Sequence, residues 1–328
     1  MRKPQRYTIE NEYIKVTFLN IGAIITELVV KNPGMNVIVG HYDLNQYIEN
    51  NKGYMNAVIG RHAGRCRAFL LDGQTVQPTY NEGSFQLHGG HQGFHQKEFE
   101  VEHFSDRAIL RTKSPHLEEG FPGTVNFEVE YRLQNSELHL YYRGKTDRLT
   151  ILNCTHHAYF NLNGDVTKPI TNHILWLKAN HRLELDEKLV PYRLVSTIDS
   201  IFDFNQPKAI GQDISDVSLD KTKGYDHPYI LQKEGKSIEH VATLSSPLTG
   251  LTLEVWTNQQ VLVLYTGNFI DEGYFLNDKT IGYPRCAVCL ETQGVPNAQN
   301  IEGFKHENRL EADQTYLYHT VWSFKSSS

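Results

Sequence analysis

The chain is short of cysteine, of net positive charge and of long apolar runs, and each shortage removes a class of protein. Four cysteines in 328 residues make no disulfide framework. Two of them, Cys286 and Cys289, form a CxxC within Arg285-Cys286-Ala287-Val288-Cys289-Leu290. Residues three apart on a strand point to opposite faces, so this pair reads as packing side chains rather than a metal clip. Lys and Arg total 32 against 38 Asp and Glu, a net charge of −6, so there is no broad basic face to displace the counterions of a nucleic acid. No apolar stretch follows the basic residues Arg2 and Lys3, which excludes the pattern of a signal peptide. The best apolar candidate, Ile21 to Val30, is interrupted by Thr26 and Glu27 and falls well short of the roughly 20 residues that span a bilayer. The expectation is a cytoplasmic protein with neither a membrane nor a nucleic-acid partner. Walker loops, dinucleotide fingerprints, G-x-S-x-G elbows and H-E-x-x-H motifs are also missing.

What is present is period-2 alternation. Val125, Phe127, Val129, Tyr131 and Leu133 fall on one face of an extended segment, with Asn126, Glu128, Glu130 and Arg132 on the other. Gln134-Asn135-Ser136-Glu137 is a polar turn, after which Leu138, Leu140 and Tyr142 resume the alternation, so the pair predicts a hairpin. A second hairpin is expected from Leu251, Leu253 and Val255 before a turn and Val261, Val263 and Tyr265 after it. Tyr13–Leu19, Ala23–Val30 and Asn36–Gly40 also read as strands, and the wealth of Tyr and Phe suits sheets. Helical signals are confined to short turns near Leu44–Ile48 and Ile210–Val217. With no alternation of strands and helices and no linker, the expectation is an all-β chain of mostly antiparallel strands, one domain over residues 1–328.

Strand faces leave several polar clusters unexplained. They are Gly60-Arg61-His62-Ala63-Gly64-Arg65, Leu87-His88-Gly89-Gly90 with Gly93-Phe94, Asn153 to Leu162, Gly224-Tyr225-Asp226-His227, and Leu290 to Ala298. Ionisable groups beside glycine and aromatic residues are common in small-molecule pockets. Glu291 is expected where a strand over Cys286–Glu291 ends, a carboxylate at a cleft or a solvated strand end. His156 and His157 are adjacent, so one can face a cleft while the other packs. His88, His91 and His95 have a spacing that could hold a metal, but the Gly89-Gly90 turn fits a loop approaching a ligand better, and no metal is expected. Arg61 and Asp226 are either a surface pair or binders of vicinal hydroxyls.

Taken in order from Gly60 to Asn300, these clusters resemble the aldose 1-epimerase (galactose mutarotase) family. Gly60-Arg61-x-Ala63-x-Arg65 is similar to its G-R-x-A-N-R, Leu87-His88-Gly89-Gly90 with Gly93-Phe94 to its L-H-G-G-x-x-G-F, and Asn153-x-Thr155-x-His157-x-Tyr159-Phe160-Asn161-Leu162 to its N-x-T-x-H-x-Y-F-N-L. Tyr265-Thr266-Gly267-Asn268 and Leu290-Glu291-Thr292-Gln293 with Pro296 complete the set. The resemblance implies a β-supersandwich, no cofactor, and a monosaccharide substrate, in a monomer or homodimer. It also implies Glu291 as general base, His157 as general acid, and Arg61, His88 and Asp226 as substrate-binding residues. Three positions depart from the pattern: Gly64 stands for Asn, Asn297 for Asp, and Val263 for a Gln that many members carry.

The reaction so implied opens a pyranose and closes it on the other face of C1. It needs a proton taken from O1 and one given to the ring oxygen O5. A free Glu is ionised at neutral pH, and a nearby carboxylate such as Glu291 or Asp226 is expected to favour the protonated form of His157. A hexose-6-phosphate epimerase would want several cations, for which Arg61, Arg65 and Arg67 are available; a non-catalytic sugar-binding sandwich is the other alternative.

Overall fold

The computed structural model describes residues 4–49 and 51–326. Its framework is a nine-stranded antiparallel sheet running, edge to edge, Glu100–His103, Arg107–Ser114, Val125–Gln134, Glu137–Thr146, Tyr316–Ser326, Leu251–Thr257, Glu239–Ser245, Ile174–Leu177 and Lys208–Ala209. The hairpin expected from sequence forms at its centre, paired from Val125 opposite Thr146 to Gln134 opposite Glu137. Asn135 makes the turn at φ +52°, a conformation Asn tolerates. Val125, Phe127, Val129, Tyr131 and Leu133 are all buried, so the apolar stripe faces the core as its period demands. A four-stranded sheet of Arg6–Glu10, Ile14–Leu19, Ile25–Val30 and Met35–Asn36 lies N-terminal to it.

The second expected hairpin does not form. Leu251–Thr257 pairs with Glu239–Ser245 and Tyr316–Ser326 in the large sheet. Val261–Tyr265, only a few residues on, enters a different sheet of five strands. The reason is burial: all five residues of Val261–Tyr265 are buried, whichever face they point to, which suits an interior strand rather than half of an exposed hairpin. We label the strands of this sheet β1 (Ala179–Leu185), β2 (Pro191–Ser196), β3 (Asp226–Leu231), β4 (Val261–Tyr265) and β5 (Cys289–Gln293); their spatial order is β2-β1-β3-β4-β5.

The largest apolar core runs from Ile9 to Phe324 and draws on strands of all three larger sheets. Among the described residues helix is confined to Leu44–Glu49 and single 3₁₀ turns. The segment 210–217 forms turns, Gln212 donating to the Ala209 carbonyl and Asp216 to the Asp213 carbonyl, both at 3.0 Å, and Asp216 then accepts from the Ser218 amide at 2.8 Å to cap a 3₁₀ turn at Val217–Leu219. All four cysteines are free and buried, in keeping with a packing role. No helix among the described residues is long and apolar enough to cross a membrane.

Candidate active site

The five-stranded sheet carries a cleft because alternate residues of its strands share one face. Register places Pro228, Val263 and Glu291 in one row and Asp226, Tyr265 and Cys289 in the next. Glu291 is thus the central residue of β5, not its exit, since the strand begins at Cys289 and runs on past Glu291 to Gln293. Its backbone is held by the ladder on β4 while the carboxylate projects into a cavity of about 410 Å³. That volume lies in the usual range for small-molecule sites.

The outer edge of β5 is covered by the segment after Thr155–His156. Phe160 donates to and accepts from Val288, at 2.8 and 2.9 Å. Carrying that antiparallel register three residues along each chain brings His157 opposite Glu291, and His157 Nε2 lies 3.6 Å from Glu291 Oε1. The imidazole is stacked on Tyr159, with ring centroids 5.0 Å apart, and its Nδ1 is 3.5 Å from Cys289 Sγ. His156 points the other way, edge-on to Trp322, as adjacent residues on an extended segment must.

His88 also lines the cavity, edge-on to His157 at 5.1 Å. Its Nδ1 accepts from the Gly64 amide at 3.2 Å, so the neutral ring carries its proton on Nε2 as a donor. The neighbouring turn admits no side chain at Gly89: with φ +84°, an added Cβ would stand 2.0 Å from the Gly60 carbonyl oxygen. Asp226, at the start of β3, lines the cavity and faces Arg65 at 3.4 Å.

Arg61 does not join these groups. It is buried away from the cavity, where its guanidinium donates to Ser114 Oγ (2.8 Å), Thr150 Oγ1 (3.3 Å) and the carbonyls of Ser114, Pro115, Pro122 and Gly123 (2.8, 3.0, 2.8 and 2.6 Å). With its donors consumed by the protein it has none to offer a sugar, which corrects the expectation that it binds substrate. Arg65 lines the cavity instead. The two were not separable by alternation because the chain turns at Gly64, φ +80°, and only Arg65–Cys66 is strand. Gln293, which period 2 from Glu291 puts on the same face, also lines the cavity, without having been singled out as a site residue.

The electrostatics differ from the sequence expectation. Burial pushes the Glu291 carboxyl well above the ordinary carboxylate range; Asp226 adds to the rise and Arg65 opposes it. Burial pulls His157 down to about 3, against the expectation that a neighbouring carboxylate would hold it protonated. His88 is likewise pulled well below its ordinary value, first by burial and then by His157. Buried Glu291 Oε2 and Gln293 Oε1 have no hydrogen-bond partner. Such orphaned acceptors are costly unless something occupies the site. Among the described residues no group of His, Cys, Asp and Glu is arranged to hold a metal, so His88, His91 and His95 do not converge on one.

A buried carboxyl and imidazole thus lie side by side, 3.6 Å apart, on one wall of a cleft in a β-supersandwich. The aldose 1-epimerase family model matches residues 5–323, and the chain belongs to that family. It is 32% identical to galactose mutarotase from Sus scrofa, covering 97% of this chain and 93% of that one. It is 31% identical to an aldose 1-epimerase from Haemophilus influenzae, over 98% and 96% of the two chains. Among solved structures, galactose 1-epimerase from Lactobacillus acidophilus superposes with TM-score 0.86 at 26% identity, covering 100% of this chain and 97% of that chain. An aldose epimerase homologue from C. elegans reaches TM-score 0.90 at 23% identity over 99% and 100%, a likeness of fold.

Proposed function

We propose that the chain is an aldose 1-epimerase that interconverts the α and β anomers of a hexose such as glucose or galactose, with Glu291 as base at O1 and His157 as acid at O5. The observation that carries this reading is that the two groups sit 3.6 Å apart on one wall of a buried cleft, close enough to serve O1 and O5 of one C1, with Glu291 Oε2 lacking a partner. Family membership supports it.

The shifted proton affinities give the pair its power. A carboxylate whose proton affinity is raised is a stronger base than free Glu, and an imidazolium whose affinity is lowered is a stronger acid than free His. The pair needs one proton in all. In the empty site burial leaves that proton on Glu291; for reaction it must first pass to His157, from which ring opening moves it to O5 while Glu291 takes the O1 proton. Rotation about C1–C2 presents the other face of the aldehyde, and closure returns both protons. Each well-placed carrier contributes about 10²–10⁴-fold to such steps. His88, Asp226 and Arg65 are the proposed hydroxyl partners, Arg65 standing in for Arg61.

A hexose phosphate is disfavoured by charge. Arg65 is the one Lys or Arg among the described residues lining the cavity, it already faces Asp226, and Glu82 and Glu291 line the same space. The direct test is the decay of optical rotation of freshly dissolved α-glucose and α-galactose. Acceleration by the native protein and its loss in Glu291→Gln is the expected result; a Glu291→Gln protein as fast as the native one would refute the assignment.

A further inference from the structure

Four side chains lie in one line across the sheet that floors the cleft: His157, Glu291, Val263 and Pro228. Pro228 pairs with Val263, Val263 pairs with Glu291, and His157 lies on the outer edge of β5 beyond Glu291. All four line the cavity. The order is fixed by backbone register rather than by side-chain choice.

A pyranose has a matching line of atoms. O5 and C2 are both bonded to C1, on either side of the C1–O1 bond. If His157 serves O5 and Glu291 serves O1, the substituent on C2 lies on the side of Glu291 away from His157, against Val263. Neither Val263 nor Pro228 carries a side-chain donor or acceptor.

We infer that Val263 is a specificity-determining residue that presents an apolar surface to the C2 position, so that the enzyme accepts 2-deoxyaldoses as readily as their 2-hydroxy parents. This rests on the proposed roles of Glu291 and His157. A site that hydrogen-bonds a substrate hydroxyl rejects the analogue lacking it by about 10⁴–10⁵-fold, whereas an apolar wall discriminates by about 10²-fold or less. The two cases are far enough apart to separate cleanly.

The experiment compares kcat/KM for glucose with 2-deoxyglucose, and for galactose with 2-deoxygalactose, by magnetisation exchange between anomers, which separates enzymatic from spontaneous interconversion. The native protein should turn over each deoxy sugar within about tenfold of its parent. Val263→Gln supplies an amide at the wall and should shift the ratio toward the parent by about tenfold or more; Val263→Thr, nearly isosteric, should shift it in the same sense and guards against misfolding of the first variant. A native preference for the parent above about 10³-fold, or an unchanged ratio in both folded variants, overturns the inference while leaving the activity standing. Failure to accelerate any of the four sugars overturns the activity and this inference together.

Discussion

Glu291 and His157 are each driven toward neutrality by burial, and the consequence is a pH profile with a predictable sign. The pair holds its single proton between the lowered value of His157, about 3, and the raised value of Glu291. Turnover should therefore fall as pH rises through the raised Glu291 value, where the pair loses that proton. Asp226 raises the Glu291 value, so Asp226→Asn should move the alkaline limb to lower pH; Arg65 lowers it, so Arg65→Met should move the limb higher. A kcat/KM profile of the two variants checks both directions, and limbs that moved together or not at all would contradict the charge assignment. Glu291→Gln and His157→Asn should each cut kcat by about 10²–10⁴-fold with unchanged circular dichroism, read by polarimetry.

Arg61 and Gly89 belong to the elements that hold the cleft rather than to its chemistry. Arg61 ties the start of its loop to the carbonyls of Ser114, Pro115, Pro122 and Gly123. Arg61→Met would strand those acceptors and should cost about 3 kcal/mol in urea denaturation, while the KM of the protein that remains folded stays near native. Arg65→Met should do the reverse, raising KM with little loss of stability. A raised KM in folded Arg61→Met would restore it as a binding residue. Gly89 is at φ +84° against the Gly60 carbonyl, so Gly89→Ala should destabilise by about 2 kcal/mol or more and disturb His88 beside it. At this scale the sequence was readable where a strand is long. The alternation from Val125 gave the hairpin and its turn, because ten residues of period 2 leave one solution. It failed at Arg61 and Arg65, where the strand is two residues long, and at Val261–Tyr265, where burial on both faces erases the period that separates a hairpin arm from an interior strand. Glu291 stands out by its motif but reads as a strand end, since the Gly294-Val295-Pro296 turn does not mark that β5 continues to Gln293.

The whole molecule buries an unusual set of neutral imidazoles. His62, His95 and His173 are pulled to about 4, and His156 and His227 to about 3, in each case by burial first. Their folded values lie below the unfolded value of about 6.5, so the stability they confer is present above that pH and lost as pH falls toward the folded values. Each ring contributes a slope of about 1.4 kcal/mol per pH unit in that window, because the unfolded chain takes up the proton first. The urea midpoint should fall steeply between pH 7 and pH 5; a midpoint that did not move would mean these rings are protonated in the fold. The all-β class was legible from composition and period, and the family from five motifs in order. The partition of the strands among the three larger sheets and the small two-stranded ones was not, because it depends on pairings between residues far apart in sequence, such as Glu137–Thr146 with Tyr316–Ser326.

The Phe160–Val288 pairing gives the site an unforgiving geometry. Because that main-chain bridge lies just three residues from His157, a single residue inserted between His157 and Phe160 would turn the imidazole to the opposite face of the segment. The mutant would keep every group the reaction requires and lose their meeting point, so here a change in chain length, with no change in chemistry, is enough to silence the enzyme.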